Sequence, residues 1–252
     1  MKTIKSLFII LILALLAPIN SSAQKMYRIH EDVVKPSHVV EYETVVGELL
    51  NLMKKHKLQN ANWITSVTNN SHYLFIAPLE NMAELDKPTF ISELVEKEGS
   101  ETITGLFNRM DKCYDTELDY IISLNEELTY MPEGITQTPE GENYREFHYV
   151  YVTPGNRAEL KEKMKAIKSL YESKGSKTYY RVYNSGFGTN GEYYMVAIAA
   201  KDAEDMAQKG KANQALFGDD GQKAMWEMYS NILKYEKIEA EMRADLAYST
   251  PK

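Results

Sequence analysis

The sequence repeats itself at a spacing of 118 residues, which constrains the fold more than any other feature. The shift aligns His30 with His148, and it aligns the endings 127–130 and 245–248 position by position in residue character. The second copy needs two or three extra residues in the segment 186–192. Agreement at both ends favours an internal duplication, and the alternative is two unrelated halves whose helical registers agree by chance.

Each copy has the same predicted order of elements, strand, helix, two strands, helical segment and a last extended segment, abbreviated βαββαβ. Alternation and helical spacing in the first copy predict a strand at 27–34, a helix at 40–55, strands at 62–68 and 72–77, and helical structure from 82 to 127 interrupted near Gly99. In the second copy they predict a strand at 146–153, a helix at 157–173, strands at 177–184 and 192–200, helices at 203–216 and 222–242, and an extended tail at 246–249.

The order βαββαβ is that of the ferredoxin-like motif, which makes one antiparallel sheet with both helices on the same face. The other face of such a sheet is polar when it contacts solvent. In the second copy Val150 and Val152 point to one face, whereas Phe147, Tyr149 and Tyr151 point to the other. Both faces are apolar or aromatic, so we expect the two copies to cover each other's bare faces.

This doubled element order resembles the dimeric α+β barrel superfamily in its fused form. The resemblance implies an α+β chain in which two ferredoxin-like βαββαβ repeats form an intrachain pseudo-dimeric barrel. It implies repeats at 24–132 and 145–252, joined by a linker at 133–144 with Gly134, Pro139 and Gly141. The superfamily includes small monooxygenases, haem-dependent enzymes and stress-response proteins, so the fold alone says little about function.

The first 23 residues read as a signal peptide. Lys2 and Lys5 precede an apolar run at 7–17, and the small residues 21–23 precede the expected cleavage point. The alternative is an uncleaved anchor, but the run is shorter than the roughly 20 residues that span a bilayer. We therefore expect an exported protein, periplasmic or extracellular, with no membrane anchor after cleavage.

Composition excludes several classes of partner and cofactor site. The formal net charge of −7 argues against sequence-independent binding to nucleic acid, which requires a basic face. The single cysteine, Cys113, excludes an intrachain disulfide and a multi-cysteine zinc site, and we expect it to be buried within an amphipathic helix. The sequence leaves the oligomeric state open.

The histidines give little support for a metal or cofactor. None of the five has HxH or HExxH spacing. Haem-binding members of the superfamily hold iron through a histidine on a helix of the C-terminal half, but the last histidine here is His148, in a predicted strand. His30 and His148 occupy equivalent positions, which could indicate a paired metal site, but their helix-facing parity favours a structural role. We expect no cofactor and no metal.

Nucleophilic and phosphate-binding motifs are also missing from the sequence. There is no GxSxG motif, and no DxDxDG calcium loop. The glycines of 186–191 join two predicted strands, whereas a phosphate-binding loop precedes a helix N-terminus.

The 18 tyrosines are the remaining lead, because several fall on strand positions predicted to face the space between the repeats. By strand parity we expect the interior to be lined by Glu31, Trp63, Tyr73, Tyr149, Tyr151, Arg181, Tyr183 and Tyr193. Buried charges among tyrosines are costly unless they are paired or hydrated. The interior is therefore either a ligand pocket or a filled core in which Arg181 pairs with Glu31.

Two functions are compatible with these observations. The first is an exported protein that binds a small, partly apolar ligand, or a protein partner, through the aromatic interface between the repeats. The second is a cofactor-independent monooxygenase-like enzyme with its site in the same interior. A cavity of at least about 300 Å³ between the two sheets would favour a pocket.

Overall fold

The computed structural model describes residues 25–251, so the predicted signal peptide lies outside the described residues. The described residues form eight strands and five α-helices, together with short 3-10 turns. The N-terminal part contains β1 (Met26–Val34), α1 (Val39–His56), β2 (Ile64–Thr68), β3 (His72–Leu79), α2 (Phe90–Glu98), α3 (Ser100–Met110) and β4 (Tyr114–Leu124). The C-terminal part contains β5 (Tyr144–Tyr151), α4 (Arg157–Lys174), β6 (Tyr180–Ser185), β7 (Tyr193–Ala200), α5 (Ala203–Tyr229) and β8 (Lys234–Met242).

The eight strands close into one antiparallel barrel in the order β1-β3-β2-β8-β5-β7-β6-β4. The two parts meet at two seams of three residue pairs each, centred on Val67↔Glu241 between β2 and β8 and on Ser123↔Asn184 between β4 and β6. Closure pairs every strand on both sides, which removes the exposed edges that promote aggregation. The edge strands of the two parts therefore pair with each other within the chain.

Three apolar cores stabilise this architecture. One lies between strands β1–β4, the first sheet of the barrel, and α1–α3, and it includes the fully buried Tyr42 and Leu94. Another lies between strands β5–β8, the second sheet, and α4–α5, and it includes Leu160 and Val182. The third fills the barrel interior. Each sheet is thus apolar on both faces, as the alternation in β5 predicted.

The two parts have the same internal strand order and exchange their C-terminal segments. The first part is ordered β4-β1-β3-β2 and the second β8-β5-β7-β6. After β4, Tyr130 forms a backbone bridge to Tyr180 of the second part, and after β8, Tyr248 forms one to Trp63 of the first part. Each part is therefore tied to the other by a segment that follows its last strand.

The last strand of each part differs from the sequence-based expectation, which extended helical structure to residues 127 and 242. The structure instead forms β4 and β8 there. In β8, Ile238 and Ala240 face the barrel core, whereas the intervening positions carry Lys237 and Glu239, which pair with each other at 3.0 Å. This Lys- and Glu-rich composition is typical of a helix, but the alternation is that of a strand. Cys113 is buried as expected, but in the turn between α3 and β4 rather than within a helix.

Glycines mark the breaks and one close approach. Gly99, with φ of 85°, separates α2 from α3 as predicted, and Gly218, with φ of 53°, kinks α5. The β6–β7 loop contacts the backbone of β4, where a side chain on Gly188 would lie 2.5 Å from the Asp119 carbonyl oxygen. Among residues 25–251, no helix is long and apolar enough to span a bilayer.

Candidate functional site

Six of the eight predicted site residues face the barrel interior, where pleating places alternate side chains of each strand. They are Glu31, Tyr149, Tyr151, Arg181, Tyr183 and Tyr193. The interior is polar at both ends and apolar between, with Ile29, Leu74 and Phe147 among the central side chains. The two ends carry opposite charge and have different chemistry.

Trp63 and Tyr73 do not face this interior, and the expectation was wrong for both. Both belong to the core between the first sheet and its helices. Tyr73 pairs with Asp32 across β1 and β3, so it shares the helix-facing side and its hydroxyl donates to Glu43 at 2.7 Å. Trp63 precedes β2, and its indole N–H donates to the Leu246 carbonyl at 3.1 Å. In both segments the predicted alternation was shifted by one residue, and such a shift exchanges the interior face of a strand with its helix-facing side.

One end of the interior is acidic and rich in tyrosine. Glu31 accepts a hydrogen bond from the Tyr120 hydroxyl at 2.7 Å, and its other oxygen lies 2.6 Å from Nδ1 of His72. Burial raises the pKa of Tyr120 and of Tyr149 well above 10. Both phenols therefore stay protonated at neutral pH, and Tyr120 donates its hydrogen to Glu31. Glu31 pairs with His72, so the predicted Glu31–Arg181 ion pair does not form.

The opposite end of the interior holds two buried arginines, Arg145 and Arg181, whose exposed fractions are 1% and 4%. Arg145 donates to the carbonyl oxygens of Glu142, Tyr144 and Gln137 at 2.6, 2.9 and 3.0 Å. Among residues 25–251, no carboxylate forms an ion pair with either guanidinium. A buried charge without a counter-charge costs free energy, so this end attracts anions.

The surroundings of Arg181 are those of an incompletely satisfied cation. Its Nη1 donates to the Thr136 carbonyl at 2.5 Å, while its Nε is buried and has no hydrogen-bond partner among the described residues. Tyr27 and Tyr183 contact each other edge to face, and both bond to the Gln137 side chain. Burial, followed by the charge of Arg181, lowers the pKa of Arg145 to about 10.

A cavity of about 40 Å³ lies between the two ends, lined by Arg145, Arg181, Gln137 and Tyr183 together with apolar side chains. This volume holds one or two water molecules, and it is far below the roughly 300 Å³ typical of a small-molecule pocket. In this conformation the side chains and the linker, which covers residues 133–143 because β5 begins at Tyr144, therefore fill the barrel. The carbonyl oxygens of Thr136 and Gln137, both in this linker, contact the two guanidiniums.

Sequence reasoning missed Arg145, Gln137 and Tyr120. Arg145 has the same parity as Phe147 and could have been found, but the predicted strand began one residue after it. Tyr120 was missed because β4 was expected to be helical. Gln137 lies in a linker without periodicity, and no sequence signal places it at the barrel end.

A larger space, of about 550 Å³, lies outside the barrel beside the start of α4. Its charged lining residues include Arg157 and Lys161, but Arg157 already pairs with Glu192 at 2.5 Å and Lys161 with Glu127 at 2.6 Å. This groove is open to solvent, and its cations have partners, in contrast to those in the barrel.

The two equivalent histidines have the helix-facing parity that the sequence predicts. His30 lies beside Asp119 and Asp32, and these carboxylates raise its pKa to about 10. Nδ1 of His148 lies 2.6 Å from the Tyr235 hydroxyl. Their environments therefore differ, although their positions in the two parts match.

A histidine-ligated haem does not fit the second part of the chain. The helices α4 and α5 carry no histidine. The space between them and the sheet is filled by an apolar core that includes Leu160, Met164 and Val182. The donor set and the packing thus both lack a place for such a group.

Comparison with solved structures identifies the architecture. A structure of an anthrone oxidase-like protein matches with a TM-score of 0.56 and 12% identity, covering 90% of this chain and 94% of that chain. A candidate monooxygenase from Fusobacterium nucleatum subsp. nucleatum matches with a TM-score of 0.52 and 13% identity, covering 87% and 93%. A mutant chlorite dismutase from Candidatus Nitrospira defluvii matches with a TM-score of 0.51 and 9% identity, covering 88% and 92%. The chain has a dimeric α+β barrel fold.

These similarities extend over nearly the whole chain but at identities that concern the fold alone. No protein-family model and no curated protein matches the sequence. The α+β barrel agrees with the fold that the sequence resemblance implies, whereas the chemistry has to be argued from the barrel interior itself.

Proposed function

We propose that the barrel interior binds a small organic anion, with its charged group between Arg145 and Arg181 and its apolar part among the central aliphatic side chains. The observation that carries this proposal is the pair of buried guanidiniums without a carboxylate partner. Arginine forms strong, bidentate hydrogen bonds with carboxylates and related oxyanions. An anion would supply the missing charge and accept from the unpartnered Nε of Arg181.

Binding requires the linker to move, because the cavity is too small for an organic ligand. The carbonyls of Thr136 and Gln137 occupy the positions at which an anion would accept hydrogen bonds. Gly134 and Gly141, with φ of 109° and 74°, lie near the two ends of this segment and permit backbone conformations that other residues disfavour. We propose that the linker closes the site in this conformation and that a ligand displaces the two linker carbonyls.

The test compares an aromatic carboxylate with its neutral analogue by isothermal titration calorimetry. We expect salicylate to bind and salicylamide, which lacks the charge, to bind at least about tenfold more weakly. Substituting Arg181→Met should weaken salicylate binding about tenfold to a hundredfold, since charged hydrogen bonds contribute about 1.5–3 kcal/mol. Arg181→Lys should retain part of the affinity.

The matched control is Arg157→Met, which removes an arginine from the outer groove. If it weakens salicylate binding as much as Arg181→Met does, the anion site lies outside the barrel and the proposal is wrong. Equal binding of salicylate and salicylamide would also contradict it, because the interaction would then be hydrophobic only.

A second candidate function is cofactor-independent oxygenation, and a specific arrangement favours it. Tyr120 lines the cavity and donates to Glu31, which contacts His72. This chain of groups could carry a proton away from a bound activated methylene compound, while the arginines stabilise the resulting enolate. Oxygen would then convert the methylene to a carbonyl, R₂CH₂ + O₂ → R₂C=O + H₂O. The anthrone oxidase-like and monooxygenase neighbours are the reason for testing this class of reaction, but they share only the fold with this chain.

This candidate is tested with an oxygen electrode and anthrone as the probe. The expected result is oxygen uptake matched mole for mole by carbonyl product. The rate of oxygen uptake should fall at least about tenfold in Glu31→Gln. It should stay unchanged in the control Glu101→Gln, since Glu101 is exposed on α3. Absence of uptake above the enzyme-free rate would leave the anion-binding role alone.

We also propose that the chain is a fused duplication and that it is exported after removal of residues 1–23. The reciprocal bridges Tyr130–Tyr180 and Trp63–Tyr248, with the matching strand orders, support the duplication. The Lys–apolar–small pattern of the leader supports export. N-terminal sequencing of the protein recovered outside the cytoplasm of an expressing bacterium should give a chain that begins at Gln24, and an intact Met1 would overturn the cleavage.

A further inference from the structure

A second cluster of chemically active side chains lies on the outside of the barrel, where β1 and β4 pair beneath α1. His30, Asp32 and Glu117 each present one possible ligand atom, and these three atoms lie within 4.8 Å of one another. Asp32 is paired with Glu117 in the strand register and His30 with Asp119. The cluster is therefore held by the regular backbone of two long strands.

Asp32 is the unusual member, because its carboxylate is almost completely buried, with 2% of the side chain exposed. The Tyr42 hydroxyl donates to Oδ2. Oδ1 receives no well-aligned hydrogen bond from any described residue. It lies 3.3 Å from Nε2 of His30 and forms an ion pair with that ring when the ring is protonated. Two ligand atoms bound at right angles to one cation, at about 2.1–2.2 Å each, lie about 3 Å apart. The observed separation is close to that value.

The remaining groups orient the cluster and leave it accessible. Arg28 donates to Oδ1 of Asp119 at 2.9 and 2.7 Å, and Oδ2 of that carboxylate lies 3.4 Å from Nδ1 of His30. A carboxylate behind a histidine ring is the usual outer support of a metal ligand. Glu117 is exposed, so an ion can enter from solvent. Tyr114 lies 3.4 Å from Glu117 and offers only a hydroxyl there.

The second part of the chain shows that the fold does not require this cluster. The positions equivalent to Asp32, Glu117 and Asp119 are occupied by Val150, Tyr235 and Lys237. The corresponding strand pairs are Val150↔Tyr235 and His148↔Lys237. The same backbone thus forms without any of the three carboxylates, so their presence beside His30 calls for another reason.

We propose that His30, Asp32 and Glu117 bind a divalent transition-metal ion, with Asp119 holding the His30 ring in place. One imidazole nitrogen and two carboxylate oxygens suit Mn²⁺ or Zn²⁺. The neighbouring carboxylates hold a proton on His30, and the ion has to displace this proton to bind. The three donors then carry two negative charges, and the charge of Arg28 is balanced by Asp119. This site is separate from the barrel interior and does not depend on the anion proposal.

The test uses the purified protein, freed of metal by a chelator and then titrated with MnCl₂. Electron paramagnetic resonance measures the concentration of the free aqua ion. We expect one Mn²⁺ per chain. Glu117→Gln should weaken binding at least about tenfold. His30→Gln should also weaken it and remove the nitrogen coupling from the spin-echo spectrum. Glu117 is exposed, so its substitution does not threaten folding, and circular dichroism checks both variants.

The control is Asp115→Asn. Asp115 lies two residues before Glu117 on β4, and its exposed carboxylate pairs with Lys35. Unchanged binding in this variant, together with loss in Glu117→Gln and His30→Gln, supports the site. The proposal is overturned if the wild-type protein binds no Mn²⁺, if the two site variants bind like the wild type, or if Asp115→Asn weakens binding equally, since the last result indicates diffuse attraction to an acidic surface.

Discussion

Arg145 and Arg181 are buried charges whose hydrogen-bond partners among the described residues are neutral carbonyl groups. A chain that needed only a filled barrel could place apolar side chains at both positions, because buried charges rarely stabilise a fold. Their presence at the same end of the interior, beside Gln137 and two tyrosines, is therefore the strongest sign of a ligand. Parity alone identified Arg181, but only the closed barrel brings Arg145 beside it.

Removing the Arg181 charge should leave stability nearly unchanged. In Arg181→Met we expect the free energy of unfolding to change by less than about 1 kcal/mol, because an uncompensated charge is replaced by a similar apolar stem. Arg243→Met should lose about 1–2 kcal/mol, since Arg243 bonds to Glu43 at 2.7 and 3.0 Å and the variant leaves that half-buried carboxylate without its partner. Urea unfolding measures both. A larger loss in Arg181→Met than in Arg243→Met would show that Arg181 stabilises the barrel.

At the scale of elements, the first three strands and the first helix of each part follow from the sequence. The predicted helix at 157–173 is α4 almost residue for residue, and it ends at Gly175 with φ of 65°. The last strands, β4 and β8, could not be separated from helices by composition, since their outer faces are charged. Strand parity also predicted the wrong face for Trp63. This residue precedes β2, and its indole bonds to the backbone of Leu246 in the C-terminal segment. Such long-range pairing leaves no trace in a local pattern.

The β6–β7 loop contacts β4 through glycine, which gives a direct test of the seam. Gly188→Ala should lose at least about 2 kcal/mol, because the new methyl group would lie 2.5 Å from a backbone oxygen at a φ of 85°. The control is Gly210→Ala within α5, where nothing lies within 4 Å, and a gain of about 0.5–1 kcal/mol is expected there. Thermal unfolding monitored by circular dichroism compares the two. Equal stability would mean that this loop does not pack on β4.

The exchanged C-terminal segments predict matching effects in the two parts. The Tyr248 hydroxyl donates to the Leu58 carbonyl at 2.9 Å, and the Tyr130 hydroxyl donates to the Ser176 carbonyl at 2.9 Å. Tyr248→Phe and Tyr130→Phe should each cost about 1–2 kcal/mol, because each leaves a buried carbonyl with one bond fewer. Urea unfolding of both single variants and of the double variant measures the costs. Non-additive losses would show that the two segments, which lie in different parts, are coupled.

At the scale of the whole molecule, the two parts share one interior core and two seams, so we expect the chain to unfold as one unit. The 18 tyrosines fit this architecture. Tyrosines contribute to all three cores, with Tyr42 and Tyr73 outside the first sheet, Tyr180 outside the second, and Tyr183 in the barrel. Each contributes a large apolar ring, and the hydroxyls of Tyr42 and Tyr73 bond to the carboxylates of Asp32 and Glu43.

This distribution predicts a sharp loss of stability at alkaline pH. Burial raises the pKa of Tyr120, Tyr149 and Tyr180 above 10, while the unfolded chain ionises its tyrosines near 10. Above pH 10 the unfolded state therefore holds fewer protons than the folded state. The free energy of unfolding keeps its full value below that pH and falls as the pH rises above it. The lowered pKa of Arg145 acts in the opposite direction, but it is one group against many tyrosines. Phenolate absorbance at 295 nm should rise in one cooperative step that coincides with the loss of circular dichroism. Gradual ionisation of nearly all tyrosines around pH 10 in a folded chain would contradict the burial on which the three-core architecture depends.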